Sequence, residues 1–210
     1  MGCSTAVPAE HSYRIPLGRL GGSDDSFVSS EFQVLTLPVS AMALLLILPI
    51  VFVPMLLEAR RAAANERAQR ARGGVEAAGD VYQTMSVAYP LAFLAMVAEG
   101  TMRGGPTRAF LLIGVVLFLA AKTLKWSAIL ALGRSWTFRV ITVPRDALVT
   151  RGPYRVFRHP NYVAVIGELA GVALMSGALV MGPLATLGFG ALILKRITVE
   201  ERALHEAGSS

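Results

Sequence analysis

The sequence predicts an all-α integral membrane protein of about five helical segments, the last two forming a short hairpin. Three observations carry that prediction. Of the 210 residues, 54% are hydrophobic and only 16% are charged, against about 25% charged in an ordinary soluble domain. The apolar residues are gathered in blocks of near membrane-spanning length instead of being spread at the spacing of a soluble core. The basic residues divide unevenly between the connections, as the positive-inside rule describes.

Residues 1–33 read as a polar, extracytoplasmic tail. Ala6 stands where a myristoylation signal has Ser or Thr, and the first apolar block starts too late and runs too long for a signal peptide. Residues 34–205 form the membrane domain, and 206–210 a loose end. No charge falls between Glu31 and Glu58, where "SAMALLLILPIVFVPMLL" predicts the first crossing. Pro49 and Pro54 are bends that neighbouring helices tolerate. The alanine-rich "EARRAAANERAQRARGG" continues that helix into water and stops it at Gly73-Gly74. A second helix covers about 81–98, and "GTMRGGPT" turns the chain. A third begins near Ala109 and reaches about Leu132 if Lys122 and Lys125 snorkel to the headgroups beside Trp126. The last apolar stretch, 161–194, is long enough for two short helices broken at "MGP", residues 181–183. Placing the Arg60–Arg72 loop in the cytoplasm puts fourteen of the 20 basic residues on that side and four on the other.

The densest polar chemistry lies at a membrane boundary, in "RGPYRVFRHPNY". Gly152-Pro153 is a turn signal. His159 precedes a proline and is biased to extended backbone, while Pro160 suits the first position of a helix. That helix start, with Arg155 and Arg158 nearby, favours an anionic group. Anionic lipid heads would satisfy the charge but leave the turn, His159 and the tyrosines unexplained. Near the C-terminus, Arg196 and Glu200 share a helix face and form a modest pair worth about 0.2–0.5 kcal/mol, with Glu201 beside them. Trp136 follows the helix end at "LGRSW". Glu168 interrupts the apolar hairpin at a cost of about 2.5–3.5 kcal/mol if deep, so it faces protein or water.

The absences narrow the function. No G-x-G-x-x-G or P-loop pattern supports a nucleotide fold. The three histidines, at 11, 159 and 205, lack metal-ligand spacing, and Cys3 is the only cysteine, so no metal is expected. No G-x-S-x-G nucleophile turn occurs. The basic segments hug membrane helices, which makes nucleic acid an unneeded partner.

Taken together, "LGRSW", "VTRGPYRVFRHPNY" and the Arg-x-x-x-Glu-Glu ending in "RITVEERAL" resemble the isoprenylcysteine carboxyl methyltransferase family. The resemblance covers about residues 60–204, is strongest after Leu132, and leans to the small bacterial branch. It implies an S-adenosylmethionine-dependent enzyme of the bacterial cytoplasmic membrane, with a cytosolic cofactor pocket and a lipophilic acceptor entering from the bilayer. That acceptor would be a prenylcysteine-like or polyketide-type lipid bearing a carboxyl or acidic hydroxyl. Carried over, Gly152, Pro153, Tyr154, Arg158, His159, Pro160, Tyr162 and Glu201 would hold the cofactor. Arg196 and Glu200 would be the catalytic pair, with Trp136 and Glu168 on the acceptor side. Ala164 departs from the family's usual glycine, which bears on helix packing and pocket width. Three other readings compete: a phospholipid N-methyltransferase, an NADPH-dependent sterol-type reductase with a related R-H-x-N-Y segment, and a non-enzymatic membrane scaffold indifferent to His159→Ala and Glu200→Ala.

Overall fold

A computed structural model describes residues 44–143 and 149–208, with side chains as far as residue 203. The polar tail and the first part of the expected first crossing lie outside the described residues. Five α-helices follow: α1 (Ile47–Ala71), α2 (Tyr82–Met102), α3 (Arg108–Leu132), α4 (Pro160–Ser176) and α5 (Met181–Gly208). Two-residue strands β1 (Val75–Glu76) and β2 (Ile141–Thr142) pair antiparallel, with Val75 opposite Thr142.

Among the described residues, three helical stretches are long and apolar enough to cross a membrane: Tyr82–Met102, Arg108–Ser135 and Met181–Ala203. Their outward faces carry exposed Leu91, Leu94, Leu112, Val116, Leu119, Leu187 and Leu194, as expected of surfaces solvated by lipid. Inward, Phe93, Met96, Phe118, Leu169, Val172 and Phe189 form a common core. The α1 helix passes through Pro54 without breaking and ends before Gly73, whose φ of 80° only glycine adopts readily. Its stop is the one expected from Gly73-Gly74.

Small residues set the closest helix pair. A Cβ on Gly171 would stand 2.9 Å from the Phe118 backbone nitrogen, and one on Gly167 would stand 2.9 Å from the Ala121 methyl. Backbones meet there as small-residue membrane interfaces allow.

Three expectations need correction. The final hairpin is not short, because α5 runs 28 residues and carries the charged "KRITVEER" as a continuation. The break between α4 and α5 falls at Gly177, in the left-handed region at φ 73°, and "MGP" begins α5 instead of interrupting it. Glu99 accepts hydrogen bonds from the Val180 and Met181 amides there, satisfying two of the start's free donors.

Lys122 and Lys125 do not snorkel. They are 8% and 3% exposed and face two fully buried carboxylates. Lys122 Nζ lies 2.9 Å from Glu58 Oε1 and 3.0 Å from Glu168 Oε2, and Lys125 Nζ lies 2.9 Å from Glu58 Oε2 and 3.4 Å from Glu168 Oε1. The i,i+3 spacing puts both ammonium groups on one face of α3. Breaking such a cluster by removing one partner costs far more than its net contribution to stability.

Candidate functional site

The polar half of α1 builds the floor. Asn65 Nδ2 donates to the Gly133 and Trp136 carbonyls at 3.0 and 2.7 Å, and Gln69 Nε2 donates to the Arg134 carbonyl at 2.9 Å. The turn after α3 is thereby clamped, and Trp136 is driven into a small core with Ala62 and Ile129. Around the β1–β2 ribbon, Arg70 and Arg139 each reach Glu76 at 2.6 Å. The Glu76 carboxyl is held below its ordinary value, first by the Arg70 hydrogen bond.

Residues 152–155 form a 3-10 turn opened by Gly152 at φ 61°, and Arg151 Nε ties it to the Ala131 carbonyl at 3.1 Å. Burial, and then the charge of Glu200, push the Tyr154 phenol up, so it stays protonated. His159 is the N-cap of α4 at φ −130° and ψ 65°, outside the helical region but short of the extended backbone expected before Pro160, and its ring stacks on Tyr162 at 5.6 Å. Its Nδ1 is 3.7 Å from Glu200 Oε2, and its Nε2 is 3.8 Å from Glu201 Oε1.

Arg196 and Glu200 do not pair directly, contrary to the spacing argument. Tyr162 stands between them: Arg196 Nε donates to its hydroxyl oxygen at 2.9 Å, and that hydroxyl donates to Glu200 Oε2 at 3.0 Å. The rest of the guanidinium is held elsewhere. It donates to the Phe138 carbonyl and lies 3.3 Å from Asp80 Oδ1. Arg196 is 6% exposed, and its fork locks α5 to α4, to the loop after α3 and to the start of α2 at once.

These groups line one end of a cavity of about 980 Å³. Along α5 its wall passes from Glu200 through Arg196 to Phe189, and along α4 from His159, Asn161 and Tyr162 to Val165. At 1.5 Å per residue, each helix carries the wall from polar to apolar within a few turns. On α1, Phe52, Met55 and Leu56 close the apolar end, while Glu58, Tyr89 and Lys125 stand between. Such a chamber receives a charged, water-soluble group at one end and a hydrocarbon at the other.

Of the residues singled out in the sequence, Tyr154, Arg158, His159, Tyr162, Arg196, Glu200 and Trp136 line this cavity. Gly152, Pro153 and Pro160 shape the backbone behind it, and Glu201 is exposed beside His159. Glu168 is 0% exposed, off the cavity wall and in the ion cluster, where Tyr89 also donates to it at 2.7 Å. It faces protein, not water. Ala164 is fully buried away from the wall, so its extra methyl belongs to packing.

Two further residues of the site, Asp80 behind the wall and Asn161 on it, went unnoticed in the sequence. Asp80 accepts from the Tyr82 and Val140 amides at 3.1 and 2.9 Å while facing Arg196; its place just before a helix was the available signal. Asn161 Oδ1 is buried without a hydrogen-bond partner among the described residues, and only its place inside the RHPNY segment pointed to it.

Comparison with known proteins fits this geometry. Residues 112–206 match the model of the isoprenylcysteine carboxyl methyltransferase family. An uncharacterised protein of Bacillus subtilis (strain 168), YpbQ, is 29% identical over 161 residues, which cover 77% of this chain and 96% of that protein. No solved structure matches. The 152–155 turn, the His159–Tyr162 stack and the Arg196–Glu200 stretch all fall within the residues that match the model of the isoprenylcysteine carboxyl methyltransferase family, the family that their motifs resemble.

Proposed function

We propose that the protein is an integral membrane methyltransferase that uses S-adenosylmethionine to methylate an acidic oxygen, carboxyl or hydroxyl, on a lipophilic acceptor. The observation that carries this reading is the single cavity running from the His159–Tyr162–Glu200 end to the apolar Phe52–Phe189 end. A water-soluble donor and a greasy acceptor need such a chamber.

The residues at the polar end fit the cofactor. Glu200 suits a sulfonium or ammonium group, Arg158 suits a carboxylate, and Asn161 Oδ1 is a buried acceptor awaiting a donor. When bound, S-adenosylmethionine supplies an electrophilic methyl group. The chain's own work is proximity and orientation, which account for much of the acceleration of a bimolecular displacement. Arg196 fixes the Tyr162 hydroxyl, and Tyr162 in turn fixes the Glu200 carboxylate, so the polar end is set before ligands arrive. His159 covers Tyr162 and shields that relay from solvent. The positive guanidinium on the wall favours an acceptor oxygen carrying negative charge. Sidedness follows from the basic residues: the polar end faces the cytoplasm, where the cofactor is made available.

The test is transfer of a labelled methyl group from S-adenosylmethionine to a panel of long-chain carboxylic acids, phenols and amines by the detergent-purified protein. Label in an oxygen ester or ether, lost in Glu200→Gln, is the expected result. Label in amines alone would make the protein an N-methyltransferase. No transfer by folded protein, together with saturable NADPH binding, would move it to the reductases.

A further inference from the structure

Arg196 and Glu200 stand four residues apart on α5, the spacing at which an arginine and a glutamate ordinarily pair, yet Tyr162 lies between them. Two partners draw the rest of the guanidinium elsewhere, the Phe138 carbonyl and the Asp80 carboxylate, and of the two only Asp80 carries charge. The Asp80 side chain is 3% exposed and that of Glu200 is 35% exposed, so water weakens the attraction of Arg196 to Glu200 more than its attraction to Asp80. The backbone fixes the Asp80 carboxylate in advance. Its Oδ1 accepts from the Tyr82 amide at the start of α2, and its Oδ2 accepts from the Val140 amide. The Val140 carbonyl in turn accepts from the Ala77 amide at 2.9 Å, so the chain that continues the β1–β2 ribbon carries Asp80 to Arg196. Asp80 itself is off the cavity wall. It also lies outside residues 112–206, so the family match does not assign it.

We infer that Asp80 is a positioning residue: it holds the Arg196 guanidinium away from Glu200 and so keeps the Glu200 carboxylate available to the positive charge of the cofactor. Without Asp80, Arg196 is a buried cation lacking its counter-ion, a far larger cost than the net contribution of the pair. The carboxylate within reach on its own helix face is then Glu200. A guanidinium that swung to it would push the Tyr162 hydroxyl out of the relay and cover the oxygens that a cationic ligand needs. With Asp80 in place, Glu200 Oε2 accepts from the Tyr162 hydroxyl at 3.0 Å, and His159 Nδ1 stays at 3.7 Å, beyond hydrogen-bond reach. The benefit to the cofactor rests on the proposed methyl-transfer reading; the competition for Arg196 does not.

The test reads Glu200 without any ligand. The full chain in detergent is treated with a carbodiimide and glycine ethyl ester, and labelling of each carboxylate is read by mass spectrometry, with the exposed neighbour Glu201 as internal reference. Wild type should be labelled at both glutamates. Asp80→Asn, which keeps an acceptor for one of the two backbone amides, should lower the Glu200-to-Glu201 labelling ratio at least about fivefold, the shift that one favourable ion pair brings. A site merely loosened by the substitution would label more at Glu200, not less. Asp80→Asn/Arg196→Gln removes the competing cation as well and should restore the ratio. Calorimetry then reads the cofactor: Asp80→Asn should bind S-adenosylmethionine about tenfold more weakly than wild type, and Asp80→Glu, which keeps the charge, should lose less. An unchanged or higher labelling ratio in Asp80→Asn, no restoration in the double variant, or a greater loss in Asp80→Glu than in Asp80→Asn would each overturn the inference. If Asp80→Asn does not fold, wild type decides: a Glu200 that resists labelling while Glu201 reacts is already paired, and the inference falls. Labelling as expected, with no S-adenosylmethionine binding to folded wild type, would remove the methyltransferase reading and leave the Asp80–Arg196 competition in place. Binding without the labelling pattern would remove only the role of Asp80.

Discussion

Arg196 connects more of the site than any other side chain described here. It touches Tyr162, Phe138 and Asp80, one partner from each of three other parts of the chain. A lysine has no planar fork with which to reproduce that set. Arg196→Lys should therefore lower methyl transfer by about 100-fold or more while the protein still elutes as a folded species; unchanged turnover would exclude the relay. Tyr162→Phe removes the hydroxyl that joins Arg196 to Glu200 and should weaken S-adenosylmethionine binding by about tenfold, the scale of one charge-assisted hydrogen bond, as read by calorimetry. These partnerships explain what the sequence hid. The i,i+4 spacing of Arg196 and Glu200 was legible, and it predicted a direct pair. The tyrosine that separates them lies 34 residues away, and no local spacing reveals it.

At the scale of elements, the α3–α4 contact and the β1–β2 ribbon make separate predictions. Gly171→Ala places a methyl against Phe118 backbone atoms and should destabilise the protein by about 1–3 kcal/mol. Gly188→Ala, where a Cβ meets nothing within 4 Å, should leave the melting temperature in detergent unchanged. Equal effects would mean that close approach does not hold α3 to α4. In the ribbon, Arg70 and Arg139 hold the Glu76 carboxyl below its ordinary value of 4.5. The native state thus binds that proton more weakly than the unfolded chain. The stabilisation is complete above the unfolded value and fades as pH falls through the lowered folded one. Wild type should lose more melting temperature than Glu76→Gln between pH 7 and pH 3, and parallel curves would contradict the assignment. The helix stop at Gly73 and the helix start at Pro160 were readable because local chemistry dictates them. The end of α4 was misplaced because Gly177, a single αL glycine inside an apolar run, looks the same in sequence as Gly171, which is there for packing.

At the scale of the whole molecule, the described residues enclose one cavity that is polar at one end and apolar at the other, and the fold class was visible in the blocks of hydrophobic residues. The two lysines of α3 show the limit of that reading. With a tryptophan beside them near a helix end, they had the signature of interfacial anchors. Their carboxylate partners lie 64 and 43 residues away, and only the packed bundle brings the four together. The cavity was invisible for the same reason, since its walls come from all five helices and the segment after α3. The most direct measurement of the central claim is equilibrium binding of S-adenosylmethionine and of NADPH to the detergent-purified full chain, beside Glu200→Gln. The account predicts saturable S-adenosylmethionine binding that weakens at least about tenfold in the variant, with no saturable NADPH binding. NADPH binding without S-adenosylmethionine binding, or S-adenosylmethionine binding unchanged in the variant, would contradict it.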